Sequence, residues 1–393
     1  MHGIRERAQA LQGQIVAWRR ALHATPEIGF DTPLTERFIV DELVKMGVDS
    51  VLHGDGRHGV TALVKGGRPG GVVGMRADYD ALRIVEETGL PFAATNGNMH
   101  ACGHDAHAAM LLGTARLLLE LREELPGSVK LIFQPSEEDG KGAAAMIEDG
   151  VLENPAMDAI IGLHTGNLWK GFKSGELGYR HGALMAAADW FRITFEGKGG
   201  HGATPHLTVD PLTMAAQTVI MLQQVASREV SPFEPVVLTV GTIHGGAMPN
   251  IIAENCVIEG TFRCMSHEVR EFLIRRINEM CEDAARAMRG RAEVYFGDGT
   301  PPLLNDRAMT DELRRAMEDI VGAEKVHEIA EPTMGAEDMA LFHERVPGSY
   351  FYLPASFDDE ARNFPHHHPK FDLNEDVLWI GPAVMARFAM NRS

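Results

Sequence analysis

Apolar residues recur at helical spacing in two blocks across residues 5–47, on either side of HATPEIGFDTP, and the second block, LTERFIVDELVKMG, predicts an amphipathic helix. Two short runs follow, VTALVKG and GVVGMRAD, with the length and composition of strands. DAHAAMLLGTARLLLELREELPG predicts a long helix, with the glycine that follows as its stop. VKLIFQPSEE then reads as a strand, GAAAMIEDGVL as a helix and DAIIGLHTG as a strand. This alternation predicts an α/β fold, a mostly parallel sheet with helices on both faces.

Near residue 184 the rhythm changes. DWFRITFEG predicts a strand, DPLTMAAQTVIMLQQVASR a helix, PVVLTVGTIHGG and NCVIEGTFRC strands, HEVREFLIRRINEMCEDAARAM a helix and RAEVYFGDG a strand. That β-α-β-β-α-β order is the ferredoxin-like sandwich, a self-sufficient α+β module. The chain therefore divides into a discontinuous α/β domain, residues 1–183 and 297–393, and an inserted domain, residues 184–296. GSYFYLP supplies the larger domain with a further strand. Two domains also suit the length, since 393 residues exceed the roughly 250–300 that one core usually reaches.

A formal net charge of −18 argues against nucleic acid or an anionic membrane as a partner. The start, MHGIRERAQALQGQIVAWRR, lacks the apolar core and small-residue cleavage site of a secretory signal. Nowhere do about 18 uncharged apolar residues follow one another, as a membrane-spanning helix requires. Cys102, Cys256, Cys264 and Cys281 are few and scattered, which suits a reducing cytoplasm.

Candidate chemistry collects at one edge. In an open parallel sheet, ligands sit beyond the carboxyl ends of the strands. The residues there are Asp78 and Asp80 in MRADYDAL, Glu137 and Glu138 in FQPSEEDG, and His164 in GLHTG. MHACGHDAH, residues 99–107, opens the long helix from the same edge and brings Cys102, His104 and His107. A cluster of three, His366, His367 and His368, follows GSYFYLP, and one of them would close a metal shell. A thiolate, imidazoles and a carboxylate suit Zn²⁺, Mn²⁺, Co²⁺ or Ni²⁺ better than Mg²⁺ or Ca²⁺. Five ligands exceed the need of one catalytic metal, so two metals sharing a ligand are expected. Of two adjacent glutamates, one ligates easily and the other stays free to take a proton from water.

MRADYDAL, MHACGHDAH, FQPSEE, GLH, GKGGHGATPH, GGAMPNIIAEN, GTFR, MGAEDMA and HHHPKFD, in this order from residue 76 to 372, resemble landmarks of the M20 family of metallopeptidases and amidohydrolases. The branch is that of aminoacylases, hippurate hydrolases and plant auxin-conjugate hydrolases. The resemblance implies that Cys102, His104, Glu138, His164 and His367 bind two divalent metals, with Cys102 shared. His367 is chosen because His367-His368-Pro369 satisfies the family's His-x-Pro. Glu137 takes the general-base role, and Asp80 is the carboxylate that orients a ligating imidazole. His201 matches a histidine that reaches a neighbouring subunit's active site to hold the oxyanion, which implies a homodimer formed through the inserted domain. Asn250 and Arg263 match positions associated with the substrate's carboxylate. Ile251-Ile252-Ala253 departs from the family's usual Val-Ile-Pro.

The activity so implied is metal-dependent hydrolysis of the amide bond of an N-acyl or N-aroyl amino acid. The rivals are a carboxypeptidase or dipeptidase on the same scaffold, and a metal-independent thiol hydrolase using Cys102 with a histidine. The last leaves Glu138, His164 and the histidine cluster without roles.

Overall fold

Strands 159–166 and 348–354, AIIGLHTG and GSYFYLP, are buried at every residue and lie side by side in parallel at the middle of an eight-stranded sheet. Strands covered on both faces read as continuous apolar runs, which is why both are visible in the sequence. The computed structural model describes residues 3–54 and 56–392. It forms two compact units, Met1–Leu184 with Leu304–Pro332 and Asp338–Ser393, and Met185–Leu303 with Thr333–Glu337.

The sheet of the first unit runs Ser50–Gly54, Arg57–Lys65, Pro126–Gln134, Arg68–Asp78, Ala159–Gly166, Gly348–Pro354, Leu177–Tyr179, Val326–Glu328. Its four middle strands, from Pro126–Gln134 to Gly348–Pro354, are mutually parallel. Antiparallel pairs flank them on both sides. The helix His104–Glu120 is buried along most of its length because Ile4–His23, Pro33–Met46 and Ile380–Asn391 all pack against it. It ends at Leu121 rather than at Gly127. Pro126 already pairs with Arg68 in the sheet and Gly66 donates to the Gly127 carbonyl at 2.7 Å, so the chain is claimed by the ladder before that glycine can act as a stop.

The second unit orders its sheet Val236–Gly245, Asn255–Cys264, Ala187–Glu196, Arg291–Phe296, all antiparallel. Burial alternates along Asn255–Cys264, placing Cys256, Ile258, Phe262 and Cys264 in the core with Leu273 and Ile277 of the helix His267–Ala287. Asp210 and Ser266 cap the two helices through the amides of Leu212 and Val269. The seam on leaving this unit falls at 303 rather than 296, because Ala188 and Thr300 exchange both backbone hydrogen bonds at 2.9 Å. Residues 333–337 return to it through the Ala186 amide, which donates to the Gly335 carbonyl at 2.8 Å.

Candidate metal centre

Sheet register sets the stage, pairing Asp78 with Gln134 and His164 with Tyr352 at the carboxyl ends of the parallel strands. Cys102 lies in the loop that enters the helix His104–Glu120, making His104 that helix's first residue. The His367 amide donates to the Ala101 carbonyl at 2.8 Å, tying the histidine cluster to the Cys102 loop. Ser136 and His367 both have left-handed backbones, with φ 55° and 64°, an uncommon state for non-glycine residues that often marks functional positions. The Ser136 carbonyl accepts from the Lys141 and Gly142 amides at 3.2 and 3.0 Å, turning the FQPSEE loop sharply. The turn requires glycine at 142, where a Cβ would meet the Pro135 oxygen at 1.7 Å.

Among the described residues, five groups of three donor atoms lie within 4.8 Å of one another, and two of them contain the cysteine, Cys102–His104–His164 and Cys102–Glu138–His367. Cys102 belongs to both. The Nδ1–H of His104 donates to the Asp80 carbonyl at 3.0 Å, and that of His164 to the Thr165 carbonyl at 2.9 Å. The neutral His164 ring therefore presents an Nε2 lone pair; burial opposes charge on His104, but Asp78 and Cys102 raise it well above the usual histidine range, so a metal there takes the place of the Nε2 proton. The Nε2 of His164 is 3.5 Å from the Cys102 sulfur. The Nε2 of His104 and Oε1 of Glu138 are buried without a hydrogen-bond partner among the described residues, 3.9 Å apart. Leaving such atoms unsatisfied costs about 1–3 kcal/mol each, which a cation between them removes.

Electrostatics point the same way. Burial and the crowding of His107 and His366 hold His164 neutral, far below the usual histidine range. Burial opposes charge on Glu138, but the bond to His367 keeps its carboxyl below its ordinary value. His367, about half exposed, is raised to about 10 by its bonds to Cys102 and Glu138, with its Nε2 3.4 Å from Glu138 Oε2. In the metal-free chain a proton on His367 thus faces the Glu138 carboxylate. The donor set fits a pair of borderline divalent metals sharing one thiolate.

Residues around the donors divide by role. Glu137 reaches to 4.0 Å from His104 Nε2. Asp80 meets His104 chiefly through its backbone, its carboxylate lying 3.4 Å from Nδ1. That carboxylate instead accepts from the amides of Glu137 and Glu138 at 3.0 and 3.2 Å. His107 has both nitrogens engaged, donating from Nδ1 to Asp78 at 2.5 Å and accepting the Thr165 amide at 2.9 Å on Nε2. Asp78 is in turn held by the buried Arg76 at 2.7 Å, which also binds Gln134 and Asp338. Sequence reasoning missed this support; a buried arginine inside an apolar strand was its only signal.

In the second unit the structure brings His201 and Asn250 together. Gly200–His201 pairs with Ile251–Ile252, and the Gly202 amide donates to the Asn250 carbonyl at 2.8 Å. The Ala203 amide donates to His201 Nδ1 at 3.0 Å, leaving the Nε2 position to carry the proton of the neutral ring. Arg263 is not with them. It sits at the far end of Asn255–Cys264, eight residues or roughly 26 Å along the strand from Asn255, and its guanidinium donates to the Met334 carbonyl at 3.1 Å.

An α/β sheet whose carboxyl edge gathers a cysteine, imidazoles and paired glutamates at donor distances is that of a metal-dependent hydrolase. The chain belongs to the peptidase family M20/M25/M40, whose family model matches residues 74–391. An N-acetyl-L-cysteine deacetylase of Bacillus subtilis is 40% identical over 370 residues, 94% of this chain and 85% of that one. Thermostable carboxypeptidase 1 of Saccharolobus solfataricus is 35% identical, covering 98% of this chain and 96% of its own. A solved Bacillus subtilis structure, a dinuclear metal binding peptidase from the M20 family, has a TM-score of 0.82 at 32% identity, with 97% and 98% covered.

Proposed function

We propose that the chain hydrolyses the amide bond of N-acyl or N-aroyl amino acids, using two divalent metals held by Cys102, His104, Glu138, His164 and His367. The observation that carries this reading is the pair of donor sets that meet at Cys102, with Glu137 beside one of the ligands. Bound there, Zn²⁺, Mn²⁺, Co²⁺ or Ni²⁺ supplies Lewis acidity that polarises the amide carbonyl and lowers the pKa of water. Glu137 takes the proton from the attacking water and returns it to the leaving nitrogen. The Asp80 carboxylate keeps the Glu137–Glu138 backbone in place for both roles.

We further propose a homodimer formed through the second unit. Val236–Gly245 is an edge strand paired on one side only, with Val237 and Ile243 exposed, and the helix Pro211–Gln224 packed near it exposes Leu212 and Ile220. An unpaired, partly apolar edge is a template for a second copy. His201 and Asn250 belong with a separate two-stranded sheet, Gly200–His201 with Ile251–Ile252, while Arg263 lies near the end of Asn255–Cys264, which supports one copy supplying Arg263 to the substrate carboxylate while His201 of the partner subunit and Asn250 of the partner subunit complete the site. His201 then donates from Nε2 to the developing oxyanion. No helix among the described residues is long and apolar enough to cross a membrane. Four cysteines without disulfides support a reducing cytoplasm as the compartment.

A carboxypeptidase is the second reading, favoured by the Saccharolobus solfataricus relative. Metal content and turnover of hippurate, N-acetyl amino acids and dipeptides, before and after chelation and metal restoration, separate the two. Close to two metals per chain and chelator-sensitive cleavage of acylated amino acids are expected; faster cleavage of dipeptides favours the carboxypeptidase, and metal-independent turnover rejects both.

A further inference from the structure

Three consecutive histidines occupy a segment where the proposed metal pair needs one. His367 faces Glu138, and His368 stacks on Phe364 with centroids 4.7 Å apart. His366 turns the other way, its Nδ1 3.6 Å from the Cys102 sulfur.

We propose that His366 is a positioning residue that donates its Nδ1–H to the Cys102 thiolate and binds no metal. The tautomer follows from the opposite side of the ring. The Asn167 amide lies 3.2 Å from His366 Nε2, and since a backbone amide only donates, Nε2 must carry the lone pair. A neutral ring so held has its proton on Nδ1. The same amide closes Nε2 to a metal. Asn167 also donates from its side chain to the Phe364 carbonyl at 2.6 Å, locking the approach of this segment.

The ring is wedged in place. It meets His164 edge-on at 5.1 Å and Phe371 at 4.6 Å. On its remaining side is the backbone of Gly166, where φ is 126° and a Cβ would lie 2.4 Å from Nε2. Only glycine allows the imidazole so close, so GLHTG supplies the ligand His164 and, two residues later, the space for His366. The Cys102 carbonyl is a second acceptor near Nδ1, and the experiment below separates it from the sulfur.

The inference rests on the proposed metal pair, since its consequence is electronic: a hydrogen bond to sulfur withdraws charge from the one ligand that both donor sets share. The test is the thiolate-to-cobalt charge-transfer band of the Co²⁺-loaded protein. His366→Phe keeps an aromatic ring and removes the donor; His366→Leu is a second, smaller apolar variant should the phenyl ring not fit. His366→Asn offers an amide N–H near the place of Nδ1. The expected result is a band at lower energy in His366→Phe and His366→Leu, with both cobalt ions retained, and a return towards the wild-type position in His366→Asn. An unshifted band in the apolar variants overturns the sulfur bond and leaves the carbonyl as acceptor. Loss of one cobalt per chain overturns it by making His366 a ligand. Wild-type protein that binds cobalt with no thiolate band instead removes the metal-pair reading on which the inference rests.

Discussion

His104 and Asp80 meet through the backbone: the His104 Nδ1–H donates to the Asp80 carbonyl at 3.0 Å, while the Asp80 carboxylate accepts the amides of Glu137 and Glu138. One residue thus sets the tautomer of one proposed ligand and the position of another. Asp80→Asn leaves the carbonyl intact but turns one acceptor oxygen into an NH₂ facing an amide. The damage should fall on the Glu138 side, weakening one of two metals by about 10–100-fold, the usual effect of losing a ligand's support. Metal titration by calorimetry checks this; equal weakening of both metals would contradict the division of labour.

Glu137 and Glu138 are adjacent but not interchangeable, because only Glu138 shares a donor set with Cys102 and His367. Glu137→Gln should lower kcat by about 100-fold or more with both metals still bound, the loss expected of a general base. Glu138→Gln should lose metal first and activity as a consequence. Metal analysis alongside turnover distinguishes them.

His367 sits at about 10 in the metal-free chain, because its bonds to Cys102 and Glu138 outweigh the cost of its partial burial. Below that pH the ring is protonated, and a metal must expel the proton to bind. Apparent affinity should therefore fall about tenfold for each pH unit below 10 from this group alone. Burial also raises the Cys102 thiol, so a second proton leaves from it. Calorimetry at pH 7 in buffers of different ionisation enthalpy should report about two protons released at the shared site. Release of only one, from Cys102, would mean that His367 is already neutral.

If His201 acts in the partner subunit, two inactive chains should complement each other. Mixing His201→Ala with Glu137→Gln places one intact site in a mixed dimer, and activity should recover towards one quarter of wild type in a random mixture. Ile243→Asp on the exposed edge strand should prevent recovery and yield monomers by sedimentation. Recovery without dimers would refute cross-subunit completion.

The stretches that carry the proposed ligands stood out because cysteine, histidine and glutamate gather at the carboxyl edge of continuous apolar strands, while the choice of five among them came from the family resemblance. Those strands were legible, being covered on both faces. Ser50–Gly54, Leu177–Tyr179 and Val326–Glu328 were not: they are short elements at or next to the edges of the sheet, and the last two are joined by pairing across about 150 residues. The histidine cluster raised the expectation that one ring ligates but not which way each would turn, since that depends on the left-handed backbone at His367 and the gap at Gly166. The carboxylate of Asp80 was expected to hold an imidazole; it lies 3.4 Å from His104 Nδ1, and the Asp80 carbonyl makes the shorter bond at 3.0 Å. Side-chain identity in a sequence carries no signal for a bond made by the backbone.

Nor did the sequence reveal that His23, on the first helix, lies fully buried between two carboxylates, with Nδ1 2.8 Å from Asp105 and Nε2 3.2 Å from Glu86. Burial opposes charge on the ring, but the bonds to Asp105 and Glu86 overcome it and raise its pKa to about 9. Arg19 also binds Asp105, at 2.9 Å, so the residue following His104 is clamped from two positions on one helix. Because the folded value lies above the unfolded value of about 6.5, the stabilisation is fully present below pH 6.5 and is lost as pH rises through 9. The shift corresponds to ~3 kcal/mol. In His23→Gln, which can still hydrogen-bond but carries no charge, this dependence disappears. Urea unfolding of the two proteins between pH 6 and 10 should show a stability gap that narrows by about that amount. A gap that stays constant across the range would place the proton elsewhere in the cluster.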